Sequence, residues 1–301
     1  MRRKDELSVK SKKRTGRRFY KQLMKFEKVD IKSENGIRED LMLELYFSMN
    51  ETQLLHYYEP ELGLFVVESP MVIERALSAG YEPVSFVMID KVADEMCRKF
   101  GGMVESDITV PVYTADYDTI ADLTGVNISR GVLALFKRRE LPELSDVLFG
   151  CRRIAVFDDV ENPTNIGAMF RSAAALGIEA VVVTGNSSDP LYRRASRVSV
   201  GTVFQVPWTK VSKKDYMKRL KGLGFKTAAM ALNDKSVGID DPCLKEEEKL
   251  AIILGNEGYG LKEEVIESCD HVVKIPMKHN VDSLNVAAAA SVVFWEVMRS
   301  S

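Results

Sequence analysis

The second half of the chain contains short, wholly apolar runs that alternate with segments of helical pattern. A strand that is apolar without alternation is buried on both faces, which is typical of a parallel sheet covered by helices. The predicted strands are RIAVF, AVVVTG, VFQVP, KTAAMAL, KLAIILG and HVVKIP. The predicted helices are NIGAMFRSAAALG, LYRRASRVS, KDYMKRLKGL, LKEEVIES and SLNVAAAASVVFWEVMR. This half therefore predicts an α/β fold with a mostly parallel sheet.

The first half of the chain predicts a smaller alternating α/β unit. Its predicted strands are LGLFVVES, EPVSFVMID, VPVYTA and GVLALFKR, and helices lie between them. A helical segment is expected over residues 35–58, and a short helix around RRFYKQLMKF. The segment RELPELSDVLFGC, which contains a proline and polar residues, predicts a linker and a lead-in helix. We therefore assign residues 1–30 to a basic arm, 31–148 to one domain and 149–301 to another.

The composition is typical of a globular protein. Of the 301 residues, 46% are hydrophobic and 29% are charged, and no window approaches 18 consecutive apolar residues. We therefore expect a cytoplasmic protein without a membrane span. The four cysteines are far apart without a CxxC pair, and the three histidines have no metal-ligand spacing. We predict reduced thiols and no metal.

Positive charge is concentrated at the start of the chain, although the formal net charge is −2. Eleven lysines and arginines lie within residues 1–26, against only Asp5 and Glu6. Such an arm either contacts nucleic-acid phosphates or is a solvated tail. The run of charges by itself does not decide between these two interpretations.

Polar residues and glycines follow three of the predicted strands. Ligands of open parallel sheets bind beyond the carboxyl ends of the strands. After RIAVF, the sequence lacks the glycines of a GxGxxG dinucleotide fingerprint but carries Asn165 and Arg171. Glu257 follows KLAIILG among three glycines, and Ser283 and Asn285 follow HVVKIP.

Each of these three segments also has a purely structural interpretation. Asn165 fits a helix N-cap with Arg171 on the surface. The glycines around Glu257 fit a tight turn. Ser283 or Asp282 fits the N-cap of a buried apolar helix. Taken one at a time, the segments leave a ligand site and these structural roles open.

Taken together and in order, the three segments resemble the motifs of a known family. NPTNIGAMFRSAAALG contains N-x-G-x-x-x-R, LGNEGYGL contains G-x-E-x-x-G-L, and IPMKHNVDSLNVAAAA contains IPM followed by SLNV. They resemble the motifs of the SpoU, or TrmH-like, RNA ribose methyltransferases of the SPOUT group, over roughly residues 152–299. Through LFVVESPMVIERAL and RGVLALF, the front half resembles more weakly the ribosomal-protein-like α/β domain that often binds RNA substrate in such enzymes.

The resemblance implies an architecture and an assembly. The catalytic domain is expected to be a parallel sheet whose C-terminal segment passes through a loop as a deep trefoil knot, contrary to the general rule that chains do not thread loops. A homodimer through this domain is expected, with the apolar helix after Ser283 buried against the partner subunit. S-adenosyl-L-methionine is the implied cofactor and RNA the implied partner, with ribosomal RNA expected before transfer RNA.

The resemblance also implies roles for individual residues in methyl transfer to a ribose 2′-hydroxyl. The implied catalytic residues are Arg171, Asn165, Glu257, Ser283 and Asn285. Because an arginine keeps its charge in proteins, Arg171 is expected to hold the RNA phosphate and stabilise the forming alkoxide. The expected cofactor-binding residues are Thr184, Gly185, Leu254, Gly255, Ile275, Met277, Ser283 and Leu284.

Four positions depart from the family pattern. Asn162 stands where the family often has aspartate, His279 where it often has glycine, and Ala287 where serine is frequent. In the front domain, Arg130 stands where glutamine is usual. None of these changes removes an expected catalytic group. A non-catalytic RNA-binding protein of the same fold and a base methyltransferase are the remaining alternatives.

Overall fold

The structure, a computed structural model, describes residues 24–31, 41–47, 49–57, 62–104, 108–124, 130–279 and 282–299. The strands are β1 (Lys25–Asp30), β2 (Leu64–Glu68), β3 (Pro83–Ile89), β4 (Thr109–Ala115), β5 (Val132–Lys137), β6 (Arg153–Phe157), β7 (Ala180–Thr184), β8 (Trp208–Val211), β9 (Lys226–Met230), β10 (Val237–Gly238), β11 (Leu250–Leu254) and β12 (His271–Lys274). The helices are α1 (Leu41–Phe47), α2 (Glu51–Leu55), α3 (Pro70–Ser78), α4 (Asp90–Gly101), α5 (Tyr117–Thr124), α6 (Leu144–Val147), α7 (Pro163–Leu176), α8 (Arg193–Val198), α9 (Tyr216–Gly222), α10 (Pro242–Glu246), α11 (Glu263–Ser268) and α12 (Val286–Met298), with a 3-10 turn at Thr202–Phe204.

The first sheet contains five strands in the order β1-β4-β3-β5-β2. Strand β1 pairs parallel to β4, whereas β5 runs antiparallel to both of its neighbours. The end of the predicted basic arm thus forms the edge strand of this sheet, and the helix predicted around RRFYKQLMKF is wrong at residues 25 and 26. The rest of that segment and most of the arm lie outside the described residues.

The second sheet contains seven strands in the order β10-β12-β9-β11-β6-β7-β8, and every pairing in it is parallel. All residues of β6, β7 and β11 are buried, as the wholly apolar runs predict. The α/β class and the parallel sheet are therefore confirmed. The three strands that precede the motif segments, β6, β11 and β12, all lie in this sheet.

One predicted strand of this half is wrong. The segment VFQVP begins instead with the 3-10 turn that follows Gly201, whose φ of 83° lies in the left-handed region. Backbone hydrogen bonds from Gln205 and Val206 to the Thr202 carbonyl continue this tight turn. Strand β8 therefore begins only at Trp208, where it pairs with β7.

Helix α8 packs against the first sheet through buried ion pairs. The Glu68 carboxylate, at the end of β2, is almost fully buried and accepts hydrogen bonds from Arg193 at 3.1 Å and Arg197 at 3.4 Å. Nearby, Arg138 pairs with Asp189 at 2.9 Å, and both side chains are about one-tenth exposed. Removing Arg138 or Asp189 would leave its partner as a buried charge, which costs several kcal/mol. Glu68, in contrast, keeps Arg193 if the more exposed Arg197 is removed. These contacts fix the first sheet against the second half.

An aromatic cluster lies at the same junction. Phe65 and Tyr81 of the first sheet region pack edge-on at 5.2 Å between ring centroids. Phe204 of the 3-10 turn contacts both rings, at 6.0 Å and 5.3 Å. A single apolar cluster consequently includes residues from both halves of the chain. Across the described residues, no helix has the length and apolar character needed to cross a membrane.

Candidate functional site

The order of the second sheet brings the polar segments together at one edge. Strands β12, β9, β11 and β6 are consecutive neighbours, so the loops after their carboxyl ends are adjacent. A hollow between these loops, called the cavity below, is lined by Met230, Ala231, Leu232, Leu254, Gly255, Asn256, Glu257, Gly258, Gly260, Val273, Lys274, Ile275, Met277, Asp282, Ser283, Leu284, Val286 and Ala289. Most of the lining residues are apolar residues or glycines.

Most of the expected cofactor-binding residues lie in the cavity. Those that line it are Leu254, Gly255, Ile275, Met277, Ser283 and Leu284. Thr184 and Gly185 lie elsewhere, because Thr184 ends β7 and Gly185 follows it, on the far side of β6. The Thr184 side chain is fully buried, where its hydroxyl donates to Asp158 at 2.7 Å and accepts from the Asp159 amide at 3.2 Å. The structure does not bring these two residues to the cavity.

One wall of the cavity was not predicted from the sequence. Met230, Ala231 and Leu232 line it from the end of β9. Strand β9 lies between β11 and β12. Its end therefore falls between the glycine-containing loop after β11 and the proline-containing loop after β12. The apolar run KTAAMAL predicts this strand, but nothing in its residues gives its place in the sheet. The order of the strands is the missing signal.

Three of the expected catalytic residues form one hydrogen-bonded group. The Asn165 side-chain amide donates to the Glu257 carboxylate at 2.8 Å, and the Asn285 amide donates to the Asn165 side-chain oxygen at 3.3 Å. These residues come from the first turn of α7, the loop after β11 and the start of α12. Each amide is therefore oriented by its neighbour. Ser283 lines the cavity close by in the chain, and its side chain is exposed.

Glu257 also ties two loops together through the backbone. Its carboxylate accepts from the amides of Glu161 at 3.3 Å and Asn162 at 3.1 Å. Hydrogen bonds to an ionised acceptor are stronger than neutral ones. Three donors thus hold the carboxylate, and the loop after β11 is fixed against the start of α7.

The N-cap residues of α7 and α12 are not the ones that the sequence suggested. The side chain of Asn162, not Asn165, caps α7 by accepting from the Thr164 amide. Helix α12 is capped by Asn285, which accepts from Ala287, rather than by Ser283 or Asp282. Asn285 thus uses its oxygen for the cap and its amide for Asn165.

Two motif glycines are explained by close backbone approach. A Cβ atom on Gly167 would lie 2.4 Å from the Ala195 carbonyl oxygen, because α8 packs directly on α7 there. A Cβ atom on Gly255 would lie 2.6 Å from the Gly260 carbonyl carbon across its loop. Real Cβ atoms do not approach backbone so closely, so both positions need glycine.

Arg171 lies apart from the other expected catalytic residues of the same chain. It is exposed on α7, nearly two turns beyond Asn165, and it does not line the cavity. The neighbouring Ser172 hydroxyl is 2.7 Å from that of Ser291 on α12. Arg171 therefore lies beside the contact between these two helices.

A second polar cluster supports the cavity from behind. Asp159 is buried, has a φ of 56°, and its carboxylate accepts from Lys213 and from the Tyr259 hydroxyl. Its backbone carbonyl accepts from the Asn256 side chain at 2.9 Å. These bonds hold the loop over residues 256–260, which lines the cavity, against the end of β6.

The charges of this cluster shift two pKa values. Burial lowers the pKa of Lys213, but the hydrogen bond to Asp159 and the charges of Asp158 and Asp159 outweigh burial and raise it overall. The pKa of the Tyr259 phenol is raised, first by desolvation and then by the Asp159 charge. At neutral pH, Lys213 is charged and Tyr259 is a neutral donor.

Two further observations bear on the expectations. His279, where the family often has glycine, has a φ of 58°, the left-handed conformation that glycine adopts without strain. No group of three or more histidine, cysteine, aspartate or glutamate side chains able to hold a metal occurs in the described part of the chain.

This protein is therefore of the α/β class, with a parallel sheet and a cavity between the adjacent loops at the carboxyl ends of its strands. The model of the SpoU rRNA Methylase family matches residues 152–295. The chain belongs to the SpoU rRNA methylase family.

Relatives and solved structures extend this match beyond the second half. A Mycobacterium bovis protein named as an uncharacterised tRNA/rRNA methyltransferase is 34% identical over 240 residues, 79% of this chain and 82% of that protein. A putative TrmH family tRNA/rRNA methyltransferase of Staphylococcus aureus is 32% identical over 177 residues, 56% of this chain and 70% of that protein. The crystal structure of an AdoMet-bound rRNA methyltransferase from Sinorhizobium meliloti has a TM-score of 0.71 at 20% identity, covering 91% of this chain and 98% of that one. This last likeness concerns the fold.

Proposed function

We propose that this protein transfers a methyl group from S-adenosylmethionine to a ribose 2′-hydroxyl of RNA, with ribosomal RNA as the expected substrate and transfer RNA as the alternative. The observation that carries the proposal is the hydrogen-bonded group of Asn165, Glu257 and Asn285 beside the cavity. Membership of a methylase family and the names of the relatives as tRNA/rRNA methyltransferases support it.

The cavity suits S-adenosylmethionine. Its apolar side chains, including Leu232, Leu284 and Val286, fit a nucleobase, and its loop backbone offers polar groups to a ribose and an amino-acid tail. Acidic Glu257 and Asp282 in the lining suit a ligand with a positive sulfonium. When bound, this cofactor supplies an electrophilic methyl group. Residues 230–232 line the cavity and are proposed as further cofactor contacts, whereas Thr184 and Gly185 lie outside it.

Asn165, Glu257 and Asn285 orient the acceptor in this proposal. Three donors hold the Glu257 carboxylate, and its hydrogen bond with the Asn165 amide fixes the position of that side chain. Asn285, at the start of α12, holds the Asn165 side-chain oxygen by a second hydrogen bond. A reaction that needs in-line attack depends on such positioning for much of its rate. Ser283, in the cavity lining, is proposed to contact both cofactor and acceptor.

Arg171 takes part through a homodimer in this proposal. Ala288, Val292 and Trp295 form an exposed apolar stripe on α12, with Trp295 57% exposed. A large exposed aromatic on such a stripe suits a protein interface. Because α12 packs on α7, a dimer through this stripe brings Arg171 beside the interface. There it can hold RNA phosphate bound to the partner subunit and stabilise a forming alkoxide.

The remaining parts of the proposal concern the whole chain. Residues 31–148 form an RNA substrate-binding domain and 149–301 a catalytic domain, whose C-terminal segment forms the trefoil knot of the family. The two sheets, which fall within residues 25–137 and 153–274, support this division. The protein acts in the cytoplasm in this proposal.

The test is methyl transfer to defined RNA pools. Purified protein is incubated with tritiated S-adenosylmethionine and with ribosomal or transfer RNA from a strain that lacks the gene. We expect ribose label in one pool, identified by nuclease mapping, and none with the Arg171→Ala variant. Label on a base would contradict the ribose assignment, and cofactor binding without label in either pool would favour a non-catalytic RNA-binding protein.

A further inference from the structure

A second hollow lies on the other side of the Asn165 group. This hollow, called the groove below, is open to solvent and is lined by Glu161, Asn162, Pro163, Thr164, Asn165, Arg194, Asn256, Glu257 and Asn285. It shares Asn256 and Glu257 with the cavity. With a methyl donor in the cavity, an acceptor group in the groove would reach it past Asn256 and Glu257, which line both hollows. The groove is therefore the place for the acceptor nucleotide.

The three arginines of α8 have different environments. Arg193 and Arg197 pair with the buried Glu68 carboxylate in the junction with the first sheet. Arg194 instead lies over the groove, where its Nε donates to the Thr164 hydroxyl at 2.6 Å. For its two terminal nitrogens, no hydrogen bond to the described residues is found. Two neighbouring arginines thus have structural partners, while Arg194 has donors to spare.

Charge within the groove singles out the same residue. Among the described residues that line it, Arg194 is the only cation. Glu257 is committed to the amides of Glu161, Asn162 and Asn165, so its charge is partly balanced by donors. An RNA nucleotide has a phosphate on each side of its ribose, and these phosphates require positive partners.

We propose that Arg194 binds a phosphate adjacent to the ribose that accepts the methyl group, within the same chain as the cavity. This inference rests on the proposed function and names the residue that seats its RNA substrate. The paired terminal N–H groups of an arginine match two phosphate oxygens. Arg194 acts on the acceptor bound to its own subunit, in contrast to Arg171, which lies outside the groove.

The side chain of Arg194 is held ready for this contact. Its bond to Thr164 fixes the guanidinium next to the N-cap of α7. Helix α8 itself is fixed because Gly167 lets the Ala195 carbonyl pack directly on α7. Less side-chain freedom is lost when a phosphate binds to a guanidinium that is already oriented.

The decisive experiment compares the Arg194→Ala variant with the unchanged protein in its KM for RNA, its dissociation constant for S-adenosylmethionine and the salt dependence of its RNA affinity. We expect the KM for RNA to rise by about tenfold to a hundredfold, in line with loss of charged hydrogen bonds. The dissociation constant for S-adenosylmethionine, measured by calorimetry, stays unchanged because Arg194 does not line the cavity. The slope of log RNA affinity against log salt falls by about 0.7 to 0.9, the value of one phosphate contact.

Arg197→Ala is the matched control. Arg197 lies on the same helix, is more than half exposed, and carries the same charge, but it faces Glu68. We expect its KM for RNA and its salt slope to match the unchanged protein. Arg194→Lys keeps the charge without the paired donors, so its KM is expected between those of the unchanged protein and Arg194→Ala.

Two outcomes overturn the inference. One is an Arg194→Ala variant whose KM for RNA and salt slope equal those of Arg197→Ala. The other is a loss of cofactor affinity as large as the loss of RNA affinity, which would make Arg194 a structural residue. If the unchanged protein binds RNA but labels no ribose, the proposed function fails alone, and the salt slope of RNA binding still tests Arg194.

Discussion

The cavity and the groove share a wall but are built from different parts of the chain. The cavity is lined mainly by apolar residues and glycines at the ends of β9, β11 and β12 and in the loops that follow them. The groove is formed by polar side chains that bond to one another, chiefly Asn165, Glu257 and Asn285. The cavity is therefore sensitive to added bulk near its backbone, whereas the groove is sensitive to lost polar groups.

The strongest test of this contrast is Glu257→Gln, in the shared wall. The substitution keeps the shape but removes the charge, and it puts an NH2 group in place of one of the two oxygens that accept from the Glu161 and Asn162 N–H groups. Each hydrogen bond to a charged group contributes about 1.5–3 kcal/mol, so we expect kcat/KM to fall by at least about a hundredfold. Steady-state methyl transfer measures it.

The stability of the Glu257→Gln variant is its control. Because Glu257 is exposed, water can replace part of its lost hydrogen bonds, so we expect the thermal transition to stay cooperative and to shift less than the loss of activity implies. Activity within about threefold of the unchanged protein would contradict the role given to the wall.

Two glycines of the loop after β11 test how much room the cavity wall has for an added methyl group. A Cβ on Gly255 would meet backbone of Gly260 at 2.6 Å, whereas a Cβ on Gly258 would meet the Asn256 side chain at 3.4 Å. We expect Gly255→Ala to destabilise the fold by about 1–3 kcal/mol and to weaken cofactor binding about tenfold or more. Gly258→Ala should stay close to the unchanged protein in both. Equal effects in denaturant titration and calorimetry would refute this account.

The start of the groove is tested at Asn162. Asn162→Ala removes the side-chain acceptor of the Thr164 amide, and loss of such an N-cap costs about 0.5–2 kcal/mol. Asn162→Asp, which introduces the residue frequent in the family, keeps an acceptor at the cap and should retain stability. Urea titration of both variants measures the difference. An alanine variant as stable as the aspartate variant would argue against the cap.

The smallest effect is expected at Tyr259, behind the cavity. Tyr259→Phe loses the 3.3 Å hydrogen bond to Asp159. We expect the free energy of cofactor binding to weaken by about 0.5 kcal/mol, which is roughly a twofold loss of affinity. The raised pKa of Tyr259 gives a pH test. The neutral phenol contributes below about pH 10, and its contribution is lost as pH rises through the higher folded-state pKa. The free energy of unfolding of the unchanged protein should therefore fall at high pH. Tyr259→Phe should lack the part of this fall that comes from ionisation of the phenol.

The elements of the second sheet were largely predictable because burial on both faces leaves an unambiguous apolar run. The exception, VFQVP, is also apolar, but the left-handed Gly201 before it starts a tight turn that hydrophobicity does not reveal. Strand β10 was not predicted, since its two residues form too short a pattern. In the arm, pairing with β4 turns residues 25 and 26 into strand, a long-range effect that local pattern does not contain.

The site was predictable where the motifs are, and uncertain where strand order decides. Asn165, Glu257 and Asn285 come together as expected, because each follows a strand of the same sheet edge. Thr184 also lies at the end of a buried strand, but β7 lies beyond β6, and neither Thr184 nor Gly185 after it lines the cavity. Arg194 was indistinguishable from Arg193 in sequence, since only packing decides which of the two faces Glu68.

The double packing of α8 has a consequence for building hybrid enzymes. Helix α8 contacts both α7, which carries Asn165, and β2, which carries Glu68. A front domain transplanted from a relative would bring its own residue to the position of Glu68, while Arg193 and Arg197 would stay with the recipient. A stable hybrid thus requires that the donor segment include an acidic residue there, or that both arginines be changed with it.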